Sequence, residues 1–171
     1  MSRGRFIAVV ATDNSWGIGK GGRLLAHVRR DMQYFRELTA GLPVIYGRKT
    51  LATFPLGRPL PGRRNIVMSR SGITVEGAEV VHSERELMRA VRGNAAVIGG
   101  GEIYTLLLRH CSKVYVTRFH RDFNSDTFFP NLDDSEEWSL TGVMDTFTAT
   151  ENDSVPGMKC SLLVYERQEN E

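Results

Sequence analysis

Residues 95–108 read Ala-Ala-Val-Ile-Gly-Gly-Gly-Glu-Ile-Tyr-Thr-Leu-Leu-Leu, and this stretch restricts the fold more than any other in the chain. An apolar run of strand character meets three consecutive glycines, and Ile103, Leu106 and Leu107 then recur at helical spacing, so the local reading is strand, glycine turn, helix. Glycines without a Cβ let backbone approach a ligand closely. The free N–H groups and positive dipole end of the following helix favour a phosphate there. A strand-to-helix turn that needs positive φ and binds nothing would use the same glycines, so the motif alone leaves both readings open.

Composition narrows the class. The chain's 171 residues suit one domain with a core large enough to need neither disulfide nor metal. No apolar run approaches the roughly 20 residues of a membrane span, and the first residues lead into a short strand-like run instead of a signal sequence, which points to the cytoplasm. Cys111 and Cys160 are too few and too far apart for a disulfide framework or a zinc site, and His82, His110 and His120 have no metal-ligand spacing. The net charge of +2 conceals an asymmetry: residues 1–70 hold thirteen Lys/Arg against three Asp/Glu, and residues 71–171 hold nine against seventeen. The first half is suited to meeting anions. Its arginines are scattered among strand-like runs with no basic stretch, so a small polyanionic ligand fits better than a nucleic acid.

In chain order, the apolar run at 6–11 predicts a strand buried on both faces. Residues 12–23 carry Asn14, Ser15, Gly17, Gly19, Gly21 and Gly22, and predict a mobile loop able to act as a lid. From 28 to 39 the pattern is helical, with Val28, Asp31, Phe35 and Leu38 on one face and Met32 beside them. That places a carboxylate on an apolar stripe. Asp31 either complements the dipole from the first turn or, partly desolvated beside Phe35, has a raised pKa and pairs with a flat hydrogen-bonding ligand. A strand at 43–46 ends in Gly47-Arg48-Lys49-Thr50, two cations after a glycine at a strand-to-helix turn, which again suggests phosphate or a solvated helix start.

A Pro/Gly-rich loop at 55–62 delivers Arg63 and Arg64 into a strand at 65–68, where an arginine can clamp a carboxylate. Val80 and Val81 mark a weak strand, and Ser83 with Glu86 reads as a capping box for a helix running to Val91. A strand through Val114, Val116 and Phe119 follows, then a polar turn at 126–130. The segments 138–148 and 158–166 predict a terminal antiparallel hairpin with Trp138 and Phe147 in its core. The expectation is an α/β fold in a single domain spanning 1–171. Its central sheet is mixed and mainly parallel, of about eight strands, with helices on both faces and the hairpin at the C-terminus.

Six segments occur together in an order that resembles dihydrofolate reductase: Trp16-Gly-Ile-Gly-Lys-Gly-Gly, Asp31-Met-Gln-Tyr-Phe35, Gly47-Arg-Lys-Thr50, Arg58-Pro-Leu-Pro-Gly-Arg-Arg-Asn-Ile66, Val97-Ile-Gly-Gly-Gly-Glu-Ile-Tyr104 and Asp126-Thr-Phe-Phe-Pro130. They span most of the chain. The resemblance implies NADPH-dependent reduction of 7,8-dihydrofolate to tetrahydrofolate in one-carbon metabolism, in a monomer that also takes antifolate inhibitors. It makes Asp31 the one ionisable residue of the pterin pocket, promoting protonation of N5, with Thr117 bonded to it. Met32, Phe35, Phe54, Leu60 and Ile98 match positions packing on the pterin and benzoyl rings, with Val9, Val10 and Tyr104 beside them. Arg63 matches the arginine for the α-carboxylate of the glutamate tail.

On the cofactor side the resemblance puts Ala11, Ile18 and Gly19 around the nicotinamide, and Gly100, Gly101, Glu102, Ile103 and Tyr104 near the pyrophosphate. Gly47, Arg48, Lys49 and Thr50 form the second phosphate turn, and Met68, Ser69, Arg70 and His82, with Arg48, surround the adenosine 2′-phosphate. No metal is implied. A riboflavin-pathway reductase on the same fold, or a binding protein without turnover, is the alternative; the aspartate in its Asp-Met-x-x-Phe setting and the Pro-Gly-Arg clamp favour folate. Two positions depart from the family pattern. Leu25-Ala26 stands where most members carry Pro-Trp, and Leu51 stands where most carry Trp. Ala26 removes a large apolar wall from the pterin pocket, leaving a wider, wetter space or one filled by a neighbour such as His27, whereas Leu51 affects packing alone.

Overall fold

The computed structural model describes residues 5–169. In chain order they form β1 (Phe6–Thr12), β2 (Gly17–Lys20), β3 (Arg23–Leu24), α1 (Arg29–Thr39), β4 (Val44–Gly47), α2 (Arg48–Leu51), β5 (Asn65–Met68), β6 (Glu79–Val81), α3 (Glu84–Ala90), β7 (Ala95–Gly99), α4 (Gly101–Leu107), β8 (Cys111–Phe119), β9 (Thr127–Phe128), β10 (Trp138–Thr148) and β11 (Lys159–Arg167). Eight strands make one sheet in the order β10-β11-β8-β1-β7-β4-β5-β6. Neighbours from β8 to β6 are parallel, β11 runs antiparallel to β8, and β10 and β11 close the sheet as the expected hairpin.

Period-2 alternation sorts the side chains of each apolar strand onto two faces. Phe6, Ala8, Val10, Ile45, Ile66, Met68 and Val97 pack with Leu87 of α3 and with Tyr104 and Leu107 of α4. Val44, Tyr46, Val67, Ala96 and Ile98 pack on the other side with Phe35 of α1, Leu51 of α2, Phe54 and Leu60. Helices therefore cover both faces. The start of α3 shows the capping box: Glu86 N donates to Ser83 Oγ at 3.1 Å, and His82 N donates back to Glu86 Oε2 at 2.8 Å.

The sheet is not continuous. β1 pairs with β7 only as far as Ala8↔Val97, while its pairing with β8 runs on to Thr12↔Arg118. Beyond Ala8 the two parallel strands part, because β7 ends in the glycine turn. The carbonyl of Val9 takes its hydrogen bond from the Tyr104 hydroxyl, at 2.6 Å. The cleft that opens lies outside the carboxyl ends of parallel strands, where open α/β sheets place their ligands.

Residues 12–23 differ from the expected loop. They contain β2 and β3, which join β9 in a second, three-stranded antiparallel sheet. Glycine carries little β propensity, so β2 exists through its partner at 127–128, and the two-residue β3 pairs with β2 in turn; neither leaves a local pattern. The segment is also tied down. Asp13, 2% exposed, accepts from Gly17 N (2.8 Å) and Ser15 N (2.9 Å) through Oδ1, and from Ser125 Oγ (2.7 Å) and Phe123 N (3.3 Å) through Oδ2.

Candidate active site

Asp31 sits in the first turn of α1, half-buried, above the split between β1 and β7. Desolvation by the surrounding protein pushes its carboxyl up to about 6, against a hydrogen bond from Thr117 and the charge of His27, which both pull it down. Burial therefore outweighs the helix dipole, whose effect on a first-turn carboxylate is at most about 1–2 kcal/mol. Thr117 is buried on β8, in register with Ala11 of β1 and Leu162 of β11. The negative charge of Asp31 also acts on Tyr104 and Cys160, helping burial hold both of those groups neutral.

Phe35, Phe54, Leu60 and Ile98 gather in one apolar cluster on the α1 side of the sheet, with Leu51 among them. Met32 stands at its exposed rim. Asn65 positions the loop that carries Leu60: its buried amide accepts from Leu60 N (2.9 Å) and Tyr46 Oη (2.8 Å) and donates to the carbonyls of Leu60 (2.8 Å) and Arg63 (2.9 Å). The two arginines that follow this loop diverge. Arg64 is exposed and forks onto Glu79, with Nη2 to Oε1 at 2.7 Å, so its carboxylate is an internal one. Arg63 is half-buried and donates through Nη1 to Thr39 Oγ1 at the end of α1, and among the described residues it makes no ion pair. Its remaining N–H groups are available to an anion.

The two glycine turns meet. Tyr46 of β4 is in register with Gly99 of β7, which brings residues 47–50 against residues 99–103. Gly99 has φ +138, and a Cβ there would lie 2.9 Å from Thr50 Oγ1; one on Gly47 would lie 3.0 Å from Ile103 Cγ1, and one on Gly101 3.0 Å from Thr127 Cγ2. The Gly99-Gly100 peptide is cis. No Cβ fits at these three positions, because Thr50, Ile103 and Thr127 pack directly on the glycine backbone; the turns are thereby locked together at the ends of the parallel strands. Arg48, Lys49 and Arg70 are exposed, and among the described residues they make no ion pair. β4, β5 and β6 end in register through Gly47↔Met68 and Met68↔Val81, which sets Arg48, Ser69, Arg70 and His82 along one edge. His82 Nδ1 bonds the Ser69 carbonyl at 2.8 Å.

Not every expected residue converges. The side chains of Val10 and Met68 belong to the core under α3 and α4, on the opposite face from Phe35 and Ile98. Val9 is buried at the split, Ala11, Ile18 and Gly19 are half-buried beside it, and Glu102 is exposed in the first turn of α4. Sequence reasoning passed over Asp13, Thr39 and Arg118. The Arg118 guanidinium lies 4.4 Å from the Trp16 ring centre and donates from Nε to Thr12 Oγ1 at 2.8 Å, fixing the base of the 12–23 segment. An acid or arginine whose partner lies a hundred residues away has no local signal. His27 is exposed, so its imidazole does not replace the missing tryptophan, and Leu25 and Ala26 pack with Val28, Phe119 and Phe147.

Comparison with known proteins agrees with this geometry. The family model described as dihydrofolate reductase matches residues 5–167. The chain is 39% identical over 137 residues to the dihydrofolate reductase of Haemophilus influenzae, covering 79% of this chain and 84% of that one. It is 37% identical over 135 residues to that of Bacillus subtilis, covering 77% and 79%. A solved structure of the Enterococcus faecalis dihydrofolate reductase, complexed with NADP(H) and RAB-propyl, superposes with a TM-score of 0.83 at 29% identity over 98% of each chain. A carboxylate on an apolar helix face, a backbone cradle at the ends of parallel strands and a family match along nearly the whole chain thus agree, and the chain belongs to the dihydrofolate reductase family.

Proposed function

We propose that this chain, acting as one domain, reduces 7,8-dihydrofolate to 5,6,7,8-tetrahydrofolate with NADPH. The observation that carries the reading is Asp31, a solvent-poor carboxyl bonded by Thr117 at the split in the sheet, with family identity behind it. NADPH, when bound, supplies the hydride that is delivered to C6 of the pterin. The glycine cradle at 99–101 and the turn at 47–50 would hold its diphosphate, and Arg48, Ser69, Arg70 and His82 its 2′-phosphate, where charge separates NADPH from NADH.

The chain's remaining task is to orient two flat rings, exclude water and manage one proton. Phe35, Phe54, Leu60 and Ile98 form the apolar wall for the pterin and benzoyl rings, and Arg63, held by Thr39, meets the α-carboxylate of the glutamate tail. Asp31 bonds the pterin ring and, with its carboxyl raised to about 6, favours the protonated state at N5 without itself becoming a strong acid. The segment at 12–23 shields this chemistry from solvent.

The partners are small molecules, dihydrofolate and antifolates, and the protein works as a cytoplasmic monomer without nucleic acid or membrane. In support, the exposed cations Arg48, Lys49 and Arg70 follow the ends of β4 and β5, beside the cradle strand β7. Among the described residues no helix is long and apolar enough to cross a membrane. The test is NADPH oxidation with added dihydrofolate, for the parent and Asp31→Asn across pH. Dihydrofolate-dependent turnover that falls by orders of magnitude in the variant establishes activity and role together. A parent that binds NADPH without turning over dihydrofolate moves the substrate elsewhere.

A further inference from the structure

The helix bearing Asp31 begins without a cap of its own. Its N-cap residue is Val28, buried in the cluster with Phe119, Phe147 and Met158, and no side chain of the local segment takes the first N–H groups. The acceptor comes from the far end of the chain. Arg29 N donates to Asp153 Oδ1 at 2.9 Å, across 124 residues, from the turn between β10 and β11. Asp153 is 8% exposed, and its other oxygen accepts from Thr150 N at 2.7 Å and Thr150 Oγ1 at 3.2 Å. The same turn holds the residue before the cap: His27 N donates to Ser154 Oγ at 2.7 Å, and Ser154 N donates to His27 O at 3.0 Å.

We propose that Asp153 is a positioning residue for Asp31: its carboxylate caps α1 from the β10-β11 turn and thereby fixes the first helical turn so that the Asp31 carboxyl meets Thr117. This rests on the reading of Asp31 as the acid of the reaction. A carboxylate cap satisfies an orphan N–H and complements the dipole, and a buried one held by three donors stays ionised. Bonds from Arg29 and Thr150 keep Asp153 below the usual carboxylate range. Asp31 lies two residues beyond Arg29, so a shift of that turn moves its carboxyl directly. The titratable groups around the pair are His27, Tyr104 and Cys160 for Asp31, and Arg29 and Cys160 for Asp153. The clamp's hydrogen bonds run between α1, the residue before it and the β10-β11 turn, and none of them involves the glycine turns at the ends of β4 and β7.

The experiment compares kcat, its pH profile, the Kd for NADPH and thermal unfolding for the parent, Asp153→Ala, Asp153→Asn, Arg29→Pro and Arg29→Gln, with Asp31→Asn as reference. Asp153→Ala removes the acceptor, and kcat falls about tenfold or more, as sub-ångström misplacement of a reacting group entails. The midpoint of the pH profile moves down, because a loosened turn admits water to Asp31 and leaves the helix end uncompensated. The Kd for NADPH stays within about twofold, since the two sites do not touch. Asp153→Asn keeps the acceptor and recovers most of the rate. Arg29→Pro removes the donor at a first helical position that accepts proline, after a residue already extended at φ −123, and it repeats the Asp153→Ala effect even where that variant does not fold. Arg29→Gln keeps the N–H and behaves as the parent. Folded Asp153→Ala and Arg29→Pro variants with the parent's kcat and pH profile overturn the proposal, as does Asp153→Asn failing as badly as Asp153→Ala. If Asp31→Asn itself turns over normally, the assignment of the acid has failed, and this proposal with it.

Discussion

The Tyr104 hydroxyl donates to the Val9 carbonyl at 2.6 Å, at the point where the ladder between β1 and β7 has already ended. A side chain of α4 thus closes a backbone bond that the sheet leaves open, and the cleft exists without an orphaned buried acceptor. Tyr104→Phe removes the donor and leaves the carbonyl buried. Urea unfolding is expected to show a loss of about 1–3 kcal/mol with unchanged m. A variant as stable as the parent would mean that another donor serves Val9.

Asp31 sets activity against stability. Its folded pKa, raised from 3.8 to about 6, means that burial favours the neutral form. The group's stabilising contribution is therefore complete below about pH 4 and lost as pH rises through 6. At pH 7.5 the ionised carboxyl costs on the order of 2 kcal/mol, which Asp31→Asn relieves. The variant is expected to unfold at a higher temperature than the parent at pH 7.5, and to lose that advantage at pH 4, while its turnover collapses. Equal melting shifts at both pH values would show that the carboxyl is not desolvated.

Asp13 has the opposite sign. Burial is the largest single influence and raises its pKa, but bonds from Ser125, Gly17, Ser15 and Phe123 together outweigh it and hold the carboxyl below the usual range. Its contribution is present above the unfolded value and lost as pH falls through the folded one. Gly17→Ala attacks the same cluster, since a Cβ would stand 2.1 Å from Ser125 Oγ and 2.6 Å from Asp13 Oδ2. Faster amide exchange across residues 14–20 and a stability loss of about 1–3 kcal/mol are expected at neutral pH. The loss shrinks in acid. Unchanged exchange would mean that the segment is held elsewhere.

What the sequence revealed follows from the range of each interaction. The strand-glycine-helix unit at 95–107 and the stripe of Val28, Asp31 and Phe35 were legible because their periodicity is local. The desolvated position of Asp31 was legible for the same reason, a carboxylate where the stripe calls for an apolar side chain. The clusters of Asp13 with Ser125, 112 residues away, and of Arg29 with Asp153, 124 away, were not. β2 was hidden too, because its glycines carry a turn signature that pairing with β9 overrides, and β3, two residues long, forms only by pairing with β2. The sequence offered Arg63 and Arg64 alike for a carboxylate clamp, and it could not separate them: in the fold Arg64 is taken by Glu79, 15 residues away, while Arg63 is held by Thr39.

That distinction yields a paired test. Arg63→Gln is expected to raise KM for dihydrofolate by about ten- to a hundredfold, the worth of a lost bidentate charge pair, with little change for NADPH. Arg48→Leu should do the reverse, raising KM for NADPH and leaving NADH nearly untouched, because the exposed guanidinium follows the second glycine turn directly and is offered to the phosphate that NADH lacks. Steady-state kinetics with both cofactors decides it. A KM for dihydrofolate that ignores Arg63→Gln would remove the arginine from the substrate site.

The last expectation concerns Ala26, where most family members carry tryptophan. Its methyl group is half-buried beside Leu25, with Val28, Phe119, Phe147 and Val155 in the same cluster, while His27 turns outward and fills nothing. On the proposed function, an indole at this position would add an apolar wall beside the helix that carries Asp31, and a methyl group leaves that side more open to water. Ala26→Trp restores that wall, and the surface it removes from water corresponds to about 1–2 kcal/mol, or roughly five- to thirtyfold in affinity. KM for dihydrofolate and the inhibition constants of diaminopyrimidine antifolates are both expected to fall. Overpacking would instead lower the melting temperature, so unfolding is followed in parallel. If the parent already binds such inhibitors as tightly as a tryptophan-bearing relative, and Ala26→Trp changes nothing in a stable protein, the missing indole has no consequence for this pocket.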